Sequence, residues 1–415
     1  MTQVKKYKIT HCRICTSTRL SEFLSLGSMP IPNGFMEKRD IAKNEKRYPL
    51  SACVCKNCWL VQLTHTIPPE IMFKNYLYIP STSTTMVSHF KHISDELISA
   101  FRLSQKKLVV DIGSNDGTLL SFFKKKKIKI LGVDPAENLA KLSSRKGIPT
   151  INAYMTEKLA QQIILKHGSA AVVTATNVVA HINDLQDLMK SVEVLLEKQG
   201  VFVMEFPYLV DLMQKNEFDT IYHEHLSYFS INPLLILFKM HKLRLIDVKR
   251  DSIHGGSLRL HIARKSSSYK EHKRVKELIL QEKLKKLNSL DTYDEFARRV
   301  RTIKRDLVNY LKRLRGAGKR IVGYGASAKG NVLMNYCRID NSLLDYVVDS
   351  IPFKQGKYTP GTHLSIYPEK KLLKDMPDYA LLMSWNFADE ILKKNQTYRE
   401  RGGQFIITIP YLRIE

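Results

Sequence analysis

Four residues that can carry acid–base chemistry stand side by side in the chain, at Tyr222, His223, Glu224 and His225. Imidazole ionises near neutral pH, so a histidine can accept a proton from a weakly acidic substrate while a carboxylate orients it. An extended backbone would put both imidazole rings on one face, whereas a helix or a turn would separate them. The spacing alone leaves open which histidine is the base, and an aromatic-rich packing segment remains the alternative.

Two pairs of cysteines have the spacing of zinc ligands. They are Cys12-x-x-Cys15 and Cys55-x-x-Cys58, and Cys53 is left over. Two such pairs predict a zinc ribbon, in which four thiolates close a tetrahedral coordination shell. A closed shell has no open position for water or substrate, so we expect a structural zinc ion. The alternative is a set of reduced core cysteines.

A glycine-containing turn follows an apolar segment at 108–112, and its polar residues predict a ligand site. The turn offers Asp111, Gly113, Asn115 and Asp116. It lacks the GxGxxG pattern, and its acids would repel a pyrophosphate. A sulfonium cation attached to an amino acid and a ribose suits the acids better, so the turn favours S-adenosylmethionine over NAD.

Two later segments add to this predicted cofactor site. A second strand ends at Asp134, whose carboxylate can accept hydrogen bonds from ribose hydroxyls. A third strand is followed by Asn177 and His181 at the same edge of the predicted sheet, where ligands of open α/β sheets bind. His181 has an equally simple interpretation as a core histidine.

A second strand–turn–helix pattern occupies 321–331, and its turn carries a lysine in place of acids. Exposed N–H groups and a helix N-terminus make it a candidate cradle for a diphosphate, with a structural turn as the alternative. The candidate substrate-binding residues of this region are Tyr324, Gly325, Ser327, Lys329, Asn331, Asp349, Trp385 and Asn386.

The length of 415 residues predicts two or three domains. Alternating strand and helix patterns predict an α/β fold with a zinc-ribbon-like module at 1–72, a central doubly wound, Rossmann-like domain at 73–256 and a second Rossmann-like α/β domain at 257–415. Within the last region, Leu280, Leu284 and Leu287 recur at helical spacing and predict an amphipathic helix pair.

The net charge of +26 raises the question of a polyanionic partner. The lysines are scattered along the chain, so we expect no nucleic-acid partner, although a zinc-ribbon nucleic-acid methyltransferase remains an alternative. A non-enzymatic zinc-ribbon scaffold is a second alternative. No apolar run is long enough for a membrane span, and the N-terminus lacks a signal core, so we expect a cytoplasmic protein with no membrane partner.

Several segments together resemble the S-adenosylmethionine-dependent sugar C-methyltransferases, which act on nucleotide-linked 4-keto deoxysugars. They are CRIC…LGSMPIPNGF…YPL…CKNCWLVQL, DIGSNDG, EFPYL…FDTIYHEHLSYFS and GYGASAKGN, in matching order over essentially the whole chain. The resemblance implies an N-terminal zinc module, a central S-adenosylmethionine domain and a C-terminal domain that helps to hold the nucleotide sugar.

The resemblance also implies roles for individual residues. His225 would remove a proton next to the ketone, and Glu224 would orient or tune it. Tyr222 and His181 are candidates for stabilising or protonating the enolate oxygen, and Tyr76 for a substrate-side tyrosine. The expected product is a nucleotide-linked deoxysugar methylated at C-3, and the nucleotide remains open.

Overall fold

The computed structural model describes residues 7–73 and 79–415, and three β-sheets organise this part of the chain. The first sheet belongs to the cysteine-containing module. Its elements are β1 (Leu20–Met29), β2 (Tyr48–Cys55), β3 (Val61–Leu63) and the short helix α1 (Pro69–Phe73). The three strands are antiparallel neighbours, and a fourth strand is supplied from far downstream, by residues 227–228.

The central domain contains a seven-stranded sheet. This region comprises α2 (Thr84–Ala100), β4 (Leu108–Ile112), α3 (Thr118–Lys125), β5 (Lys129–Val133), α4 (Glu137–Arg145), β6 (Thr150–Ile151), α5 (Glu157–His167), β7 (Ala170–Thr176), α6 (Leu185–Leu195), β8 (Leu196–Pro207), α7 (Leu209–Gln214), β9 (Ser227–Tyr228), α8 (Ile231–Met240), β10 (Leu243–Asp251) and β11 (Ser257–Arg264). The strand order is β10-β11-β8-β7-β4-β5-β6, and β9 lies in the first sheet. The five strands from β4 to β8 are parallel and covered by helices, so they are apolar on both faces.

The central sheet extends beyond the expected domain boundary at 256. Strand β11 is antiparallel to both β8 and β10, so it completes the central sheet. The central sheet therefore continues to Arg264. The pattern at 257–264 alternates like many strands, and its partners lie too far away in sequence for the pattern to reveal them.

The C-terminal domain begins with two helices and continues into a six-stranded sheet. Its elements are α9 (Lys273–Leu284), α10 (Leu290–Gly316), β12 (Ile321–Tyr324), α11 (Ala328–Cys337), β13 (Val347–Asp349), β14 (Ile366–Pro368), α12 (Lys370–Asp375), β15 (Tyr379–Leu382), α13 (Ala388–Lys394), α14 (Gln396–Glu400), β16 (Gln404–Ile407) and β17 (Arg413–Ile414). The sheet order is β14-β13-β12-β15-β16-β17, with β17 antiparallel to its neighbour and the others parallel. The expected helix pair and Rossmann-like α/β sheet are thus present.

The prediction that Leu280, Leu284 and Leu287 share a buried, apolar face was wrong for two of the three leucines. Leu280 is 59% exposed and Leu284 is 72% exposed, while Leu287 is buried beyond the end of α9. Helix α9 buries Val275 and Leu278 instead. The leucine spacing was therefore a weak guide to the buried face.

Short 3-10 segments connect the sheets at several places near the candidate site. They are Lys38–Asp40, Pro80–Thr82, Val179–His181, Phe218–Thr220, Ile253–Gly255, Pro352–Lys354 and Trp385–Phe387. Across the described ranges, no helix combines the length and apolar character needed to cross a membrane.

Candidate active site

The four cysteines of the two Cys-x-x-Cys pairs converge in the folded module. All four Sγ atoms lie within 4.8 Å of one another, and Cys12–Cys58 and Cys15–Cys55 are each separated by 3.5 Å. A tetrahedral zinc site with bonds of about 2.3 Å requires sulfur–sulfur separations of about 3.8 Å. The donor set and its spacing therefore fit zinc, and Cys53 lies outside the cluster.

The zinc module is tied directly to the central domain. Strand β3 pairs with β9, which immediately follows the Tyr222–His225 segment. Arg13, between two zinc ligands, is 8% exposed and donates from Nε to Asn183 Oδ1 at 3.1 Å and from its second terminal nitrogen to Thr66 Oγ1 at 2.6 Å. Asn183 and Thr66 both line a cavity of the central domain, so the module contributes to the wall of that cavity.

This cavity, of about 350 Å³, lies at the carboxyl edge of the central sheet. Its polar wall includes Asp111, Gly113, Asn115, Asp134 and Asn177, five of the six predicted cofactor residues. Apolar walls are supplied by side chains that include Met86, Phe90, Leu119 and Met155. The combination of acids at one end and apolar walls suits an adenosyl group that bears a cationic sulfonium.

Two buried polar atoms in the cavity wall support this assignment. Asn177 Oδ1 and Ser114 Oγ have no hydrogen-bond partner within the described residues, although both are shielded from solvent. Buried polar atoms usually have partners, so a ligand that donates hydrogen bonds fits this wall. Asn177 also has a positive φ of 56°, and its N–H donates to Glu205 O at 2.8 Å, which fixes its position.

Asp111 and Asp134 of the cavity wall differ in their hydrogen-bond partners. Burial raises the pKa of Asp111 to about 7, although Thr174 Oγ1 donates to its carboxylate at 2.6 Å. A nearby cation would restore its ionised form. Asp134 accepts hydrogen bonds from the N–H groups of Asn115 and Ala136, both at 2.8 Å, so its carboxylate is fixed at the end of β5.

Asp116, the sixth predicted cofactor residue, does not face the cavity. Its carboxylate accepts from Lys146 Nζ at 2.6 Å and from Thr118 Oγ1 at 2.5 Å. The structure therefore gives it a role in fixing the start of α3. Gly113 is required for packing, since its φ is 69° and a Cβ would lie 2.6 Å from Val178 Cγ2.

The Tyr222–His225 segment forms a turn, in which His225 N donates to Tyr222 O at 2.9 Å. The turn separates the two histidines. His223 is buried against the zinc module, with Nε2 3.3 Å from Tyr48 O. His225 lies on the other side, where its ring centroid is 4.1 Å from that of Tyr222 and 5.0 Å from that of His181. Because His181 lines the cofactor cavity, His225 lies next to that cavity.

The proton position on His225 is set by the backbone. Nδ1 lies 2.9 Å from Thr220 O, and a carbonyl oxygen can only accept, so Nδ1 carries the proton and Nε2 the lone pair. Burial, followed by the neighbouring His181, holds the pKa of His225 well below its ordinary value. The ring is therefore neutral near pH 7 and can act as a base through Nε2.

Of the two remaining residues with predicted roles, the structure describes Glu224 but not Tyr76. Glu224 is 1% exposed and accepts from Asn33 Nδ2 at 2.7 Å, so the buried carboxylate links the turn to the zinc module. Tyr76 lies outside the described residues.

One histidine of the cavity was not predicted. His254 lines the cofactor cavity and adopts a positive φ of 58° before two glycines. Burial lowers the pKa of His254 to about 4, as it also does for His181. The Ser-Ile-His-Gly-Gly sequence after an apolar strand was the available signal, but a lone histidine there predicts no partner.

In the second glycine loop, most predicted substrate residues have structural partners. Tyr324 is buried and donates to Glu369 at 2.6 Å, and Ser327 caps α11 by accepting from Gly330 N at 3.0 Å. Asn331 Nδ2 donates to Pro32 O at 2.7 Å, which joins this domain to the zinc module.

The N–H groups of this loop are also largely committed. Those at positions 325, 326, 327, 330 and 331 all donate within the protein. Gly325 has a φ of 89°, and a Cβ there would lie 2.5 Å from Ser384 Oγ. Asp349 accepts from Ala326 N at 2.8 Å and from Lys354 Nζ at 3.1 Å. The loop therefore resembles a structural turn more closely than an open diphosphate cradle.

The side chain that leaves this loop for the domain interface is Lys329. Its Nζ lies 4.4 Å from the ring centroid of Trp385, and Trp385 Nε1 donates to Asp219 Oδ2 at 2.7 Å. Asn386 is the next residue of the same 3-10 segment and is partly exposed. Asp219 and the nearby Glu217 were not predicted as site residues, although both lie in the segment that leads to the Tyr222–His225 turn.

Sequence comparisons agree with this architecture. Residues 12–73 match a zinc binding domain, residues 88–247 a methyltransferase domain and residues 252–410 a C-methyltransferase C-terminal domain. Over 406 residues the chain is 35% identical to C-methyltransferase NovU from Streptomyces niveus, a match that covers 98% of this chain and 97% of that protein. The chain belongs to the C-methyltransferase family.

This C-methyltransferase uses S-adenosylmethionine as its methyl donor and has a zinc site in its N-terminal module. The matches favour an enzyme of this family over a nucleic-acid methyltransferase and over a non-enzymatic scaffold.

Solved structures with similarity to this C-methyltransferase include an S-adenosylmethionine-dependent methyltransferase from Anabaena variabilis, 15% identical with a TM-score of 0.36, covering 42% of this chain and 84% of that one. Another is magnesium protoporphyrin IX methyltransferase from Synechocystis, 15% identical with a TM-score of 0.35, covering 46% of this chain and 91% of that one. At these TM-scores, neither likeness carries an argument about the function of this chain.

Proposed function

We propose that this C-methyltransferase methylates C-3 of a nucleotide-linked 4-keto deoxysugar, with His225 as the general base. The observation that carries the proposal is the state and position of His225. Its imidazole is neutral, and the proton on Nδ1 is held by the hydrogen bond to Thr220 O. The ring lies beside a cavity that fits S-adenosylmethionine. S-adenosylmethionine supplies a methyl group that is open to attack by a nucleophile.

Carbon requires a base before it can be methylated. A C–H carbon has no lone pair, but a neighbouring ketone acidifies the C–H bond, and removal of that proton makes the carbon nucleophilic. His225 Nε2 is suited to take the proton because its lone pair is free of the Thr220 contact. A positioned base of this kind contributes about 10²–10⁴-fold to a rate.

The neighbours of His225 have supporting roles in the proposal. Tyr222 lies against the imidazole ring, and with His181 it is a candidate for contacting the enolate oxygen. Glu224 fixes the turn through Asn33. The assignment of a nucleotide-linked substrate is supported by the resemblance of the whole chain to sugar C-methyltransferases and by the net charge of +26, which attracts a diphosphate.

The proposal is tested by the identity of the product. The enzyme is incubated with S-adenosylmethionine labelled with ¹³C at the methyl group and with thymidine, guanosine and cytidine diphosphate 4-keto-6-deoxyhexoses in turn. For at least one nucleotide, we expect an NMR signal from a labelled methyl group bonded to C-3, next to the ketone carbon. Methyl transfer to oxygen, or no labelled sugar with any of the three nucleotides, would contradict the proposal.

A further inference from the structure

A buried ammonium group lies at the interface between the central and C-terminal domains. Lys329, in the first turn of α11, has its Nζ shielded from solvent and without a hydrogen-bond acceptor among the described residues. One side of the ammonium is occupied by the Trp385 ring, 4.4 Å away. A cation–π contact replaces only part of the lost hydration, so a buried ammonium in this position calls for an acceptor.

Two buried carboxyl groups face the same place. Glu217 is 1% exposed and Asp219 is fully buried, and Glu217 Oε1 and Asp219 Oδ1 have no hydrogen-bond partner in the described part of the chain. Burial raises the pKa of Glu217 to about 7 and of Asp219 to about 6, while Lys329 lowers both. Neither carboxylate forms an ion pair within 4.0 Å of Lys329 Nζ among the described residues, so the three groups interact over a longer distance, and we call the space among them the gap.

The polar groups around this gap define what can fill it. The ammonium can only donate a hydrogen bond, and an ionised carboxylate can only accept one. A ligand that satisfies both must offer an acceptor oxygen next to a donor hydroxyl, as the edge of a hydroxyketone does. A diphosphate would satisfy Lys329 but would meet two carboxyl groups, and the N–H groups of the neighbouring loop are largely committed elsewhere.

Short contacts connect this cluster to the proposed base. Trp385 Nε1 donates a hydrogen bond to Asp219 Oδ2. The carbonyl oxygen of the next residue, Thr220, accepts a hydrogen bond from His225 Nδ1 at 2.9 Å. On the other side, a Cβ added at Gly255 would collide with Glu217 Oε1, which places that carboxyl group against the turn that carries His254. Lys329 acts electrostatically on both His225 and His254, so it lies close to the turn of the base and to the wall of the cofactor cavity.

We propose that Lys329 is a catalytic residue whose ammonium group donates a hydrogen bond to the ketone oxygen of the substrate, and that Asp219 and Glu217 position it and bind an adjacent hydroxyl. This inference rests on the proposed function. When His225 Nε2 takes the proton from C-3, the electron pair of the C–H bond forms a carbon–carbon double bond. The carbonyl π pair then moves to oxygen, where the ammonium stabilises the developing negative charge.

The assignment also explains why a lysine serves better than the imidazole of His181 as the electrophile. His181 is neutral near pH 7 because burial lowers its pKa to about 4, and a neutral donor stabilises an enolate less than a charged one. Burial lowers the pKa of Lys329, and the two carboxyl groups beside it, Asp219 and Glu217, offset part of that effect. Lys329 therefore keeps more of its positive charge than it would in a fully apolar pocket.

The test compares Lys329→Met with Lys304→Met. Lys304 also places its Nζ over an aromatic ring, Tyr336 at 4.2 Å, but it has no part in the cluster. Each variant is given S-adenosylhomocysteine and the 4-keto-6-deoxyhexose substrate in D₂O, and the entry of deuterium at C-3 is followed by NMR. Binding of the free nucleoside diphosphate is measured by calorimetry.

We expect Lys329→Met to slow deuterium entry by about 10²-fold or more, the effect of losing one donor at a developing oxyanion. Nucleoside diphosphate affinity should change by less than about 2-fold, since the diphosphate does not contact Lys329. Lys304→Met should match the wild type in both. Unchanged exchange in Lys329→Met, or a loss of nucleoside diphosphate affinity without slower exchange, would overturn the inference.

Binding of S-adenosylhomocysteine verifies that the variant is folded, because the cofactor cavity does not include Lys329. If Lys329→Met fails to bind it, Lys329→Gln replaces it in the same comparison, with the same expected and contradicting results. The wild type separates the two proposals: if it neither exchanges C-3 nor methylates the sugar, the proposed function fails and this inference with it. If the wild type and the variant exchange the C-3 proton at equal rates, only the proposed role of Lys329 is refuted.

Discussion

At the scale of single residues, the state of His225 follows from burial and from one backbone contact. Its Nδ1 is 2.9 Å from Thr220 O, which fixes the tautomer, and burial together with His181 keeps the ring neutral. Neither condition depends on the identity of the substrate. A base prepared in this way needs no proton loss before it acts.

This state predicts the pH dependence of the reaction. The neutral base is present above its pKa and is lost as pH falls through that value, and the pKa of His225 lies well below 6.5. We therefore expect kcat/KM for the sugar to stay level from pH 8 to 6.5 and to fall only at lower pH. Saturating S-adenosylmethionine is needed, because the pKa of Asp111 is about 7 and its titration would change cofactor binding. A half-maximal point at or above pH 6.5 that persists in Glu217→Gln, which lacks the carboxyl group with a pKa of about 7, would show that the base is not His225.

At the scale of elements, the zinc module holds both the Tyr222–His225 turn and one wall of the cofactor cavity. Strand β3 pairs with β9, and Leu63 N donates to Leu226 O at 3.0 Å. Arg13 reaches from between two zinc ligands to Asn183 and Thr66. The module is therefore connected to the cofactor cavity and to the Tyr222–His225 turn.

Arg13→Ala tests this connection. Arg13 also donates to Gln62 and to Leu63 O, so its removal leaves several buried acceptors without a charged donor. Since a hydrogen bond to a charged group contributes about 1.5–3 kcal/mol, we expect a loss of about 3 kcal/mol or more in the free energy of unfolding. S-adenosylhomocysteine affinity should fall as well. Chemical denaturation and calorimetry measure the two effects.

The matched control is Arg19→Ala, an exposed arginine of the same module. It should leave both quantities within the range of ordinary surface substitutions, about 0.5 kcal/mol. Equal behaviour of the two variants would mean that the contacts of Arg13 do not support the cavity.

Elements that depend on local pattern were predictable from the sequence. The strand at 108–112 and the two Cys-x-x-Cys pairs occur as expected, because apolar runs and ligand spacing are read within a few residues. The antiparallel strand at 257–264 was missed because its pairing with β8 is set by distant residues. Leu280 was assigned to a buried face that the helix does not have.

At the scale of the whole molecule, the site is made from segments that are far apart in sequence. Trp385 and Asp219 are 166 residues apart, and Asn331 and Pro32 are 299 residues apart. No local pattern predicts such contacts, so His254, Glu217 and Asp219 could not be found from the sequence alone. Motif resemblance singled out the Tyr222–His225 segment, whereas the structure was needed to separate His223 from His225.

The assembly of the three domains also changes how the second glycine loop is interpreted. Its small residues allow close packing against Ser384 and Met383, and its asparagine joins α11 to the zinc module. The loop thus serves the domain interface, and its lysine lies over the Trp385 ring, with Nζ 4.4 Å from the ring centroid. An acidic cofactor cavity and a buried ammonium group, both close to His225, are the result.

The most direct test of the central claim is the turnover of His225→Asn under saturating S-adenosylmethionine and sugar. Asparagine can still donate to Thr220 O but offers no basic nitrogen, so we expect turnover to fall by about 10²-fold or more while S-adenosylhomocysteine affinity changes by less than about 3-fold. The exposed His92→Asn serves as the control and should match the wild type. Turnover of His225→Asn equal to that of the wild type would contradict the account.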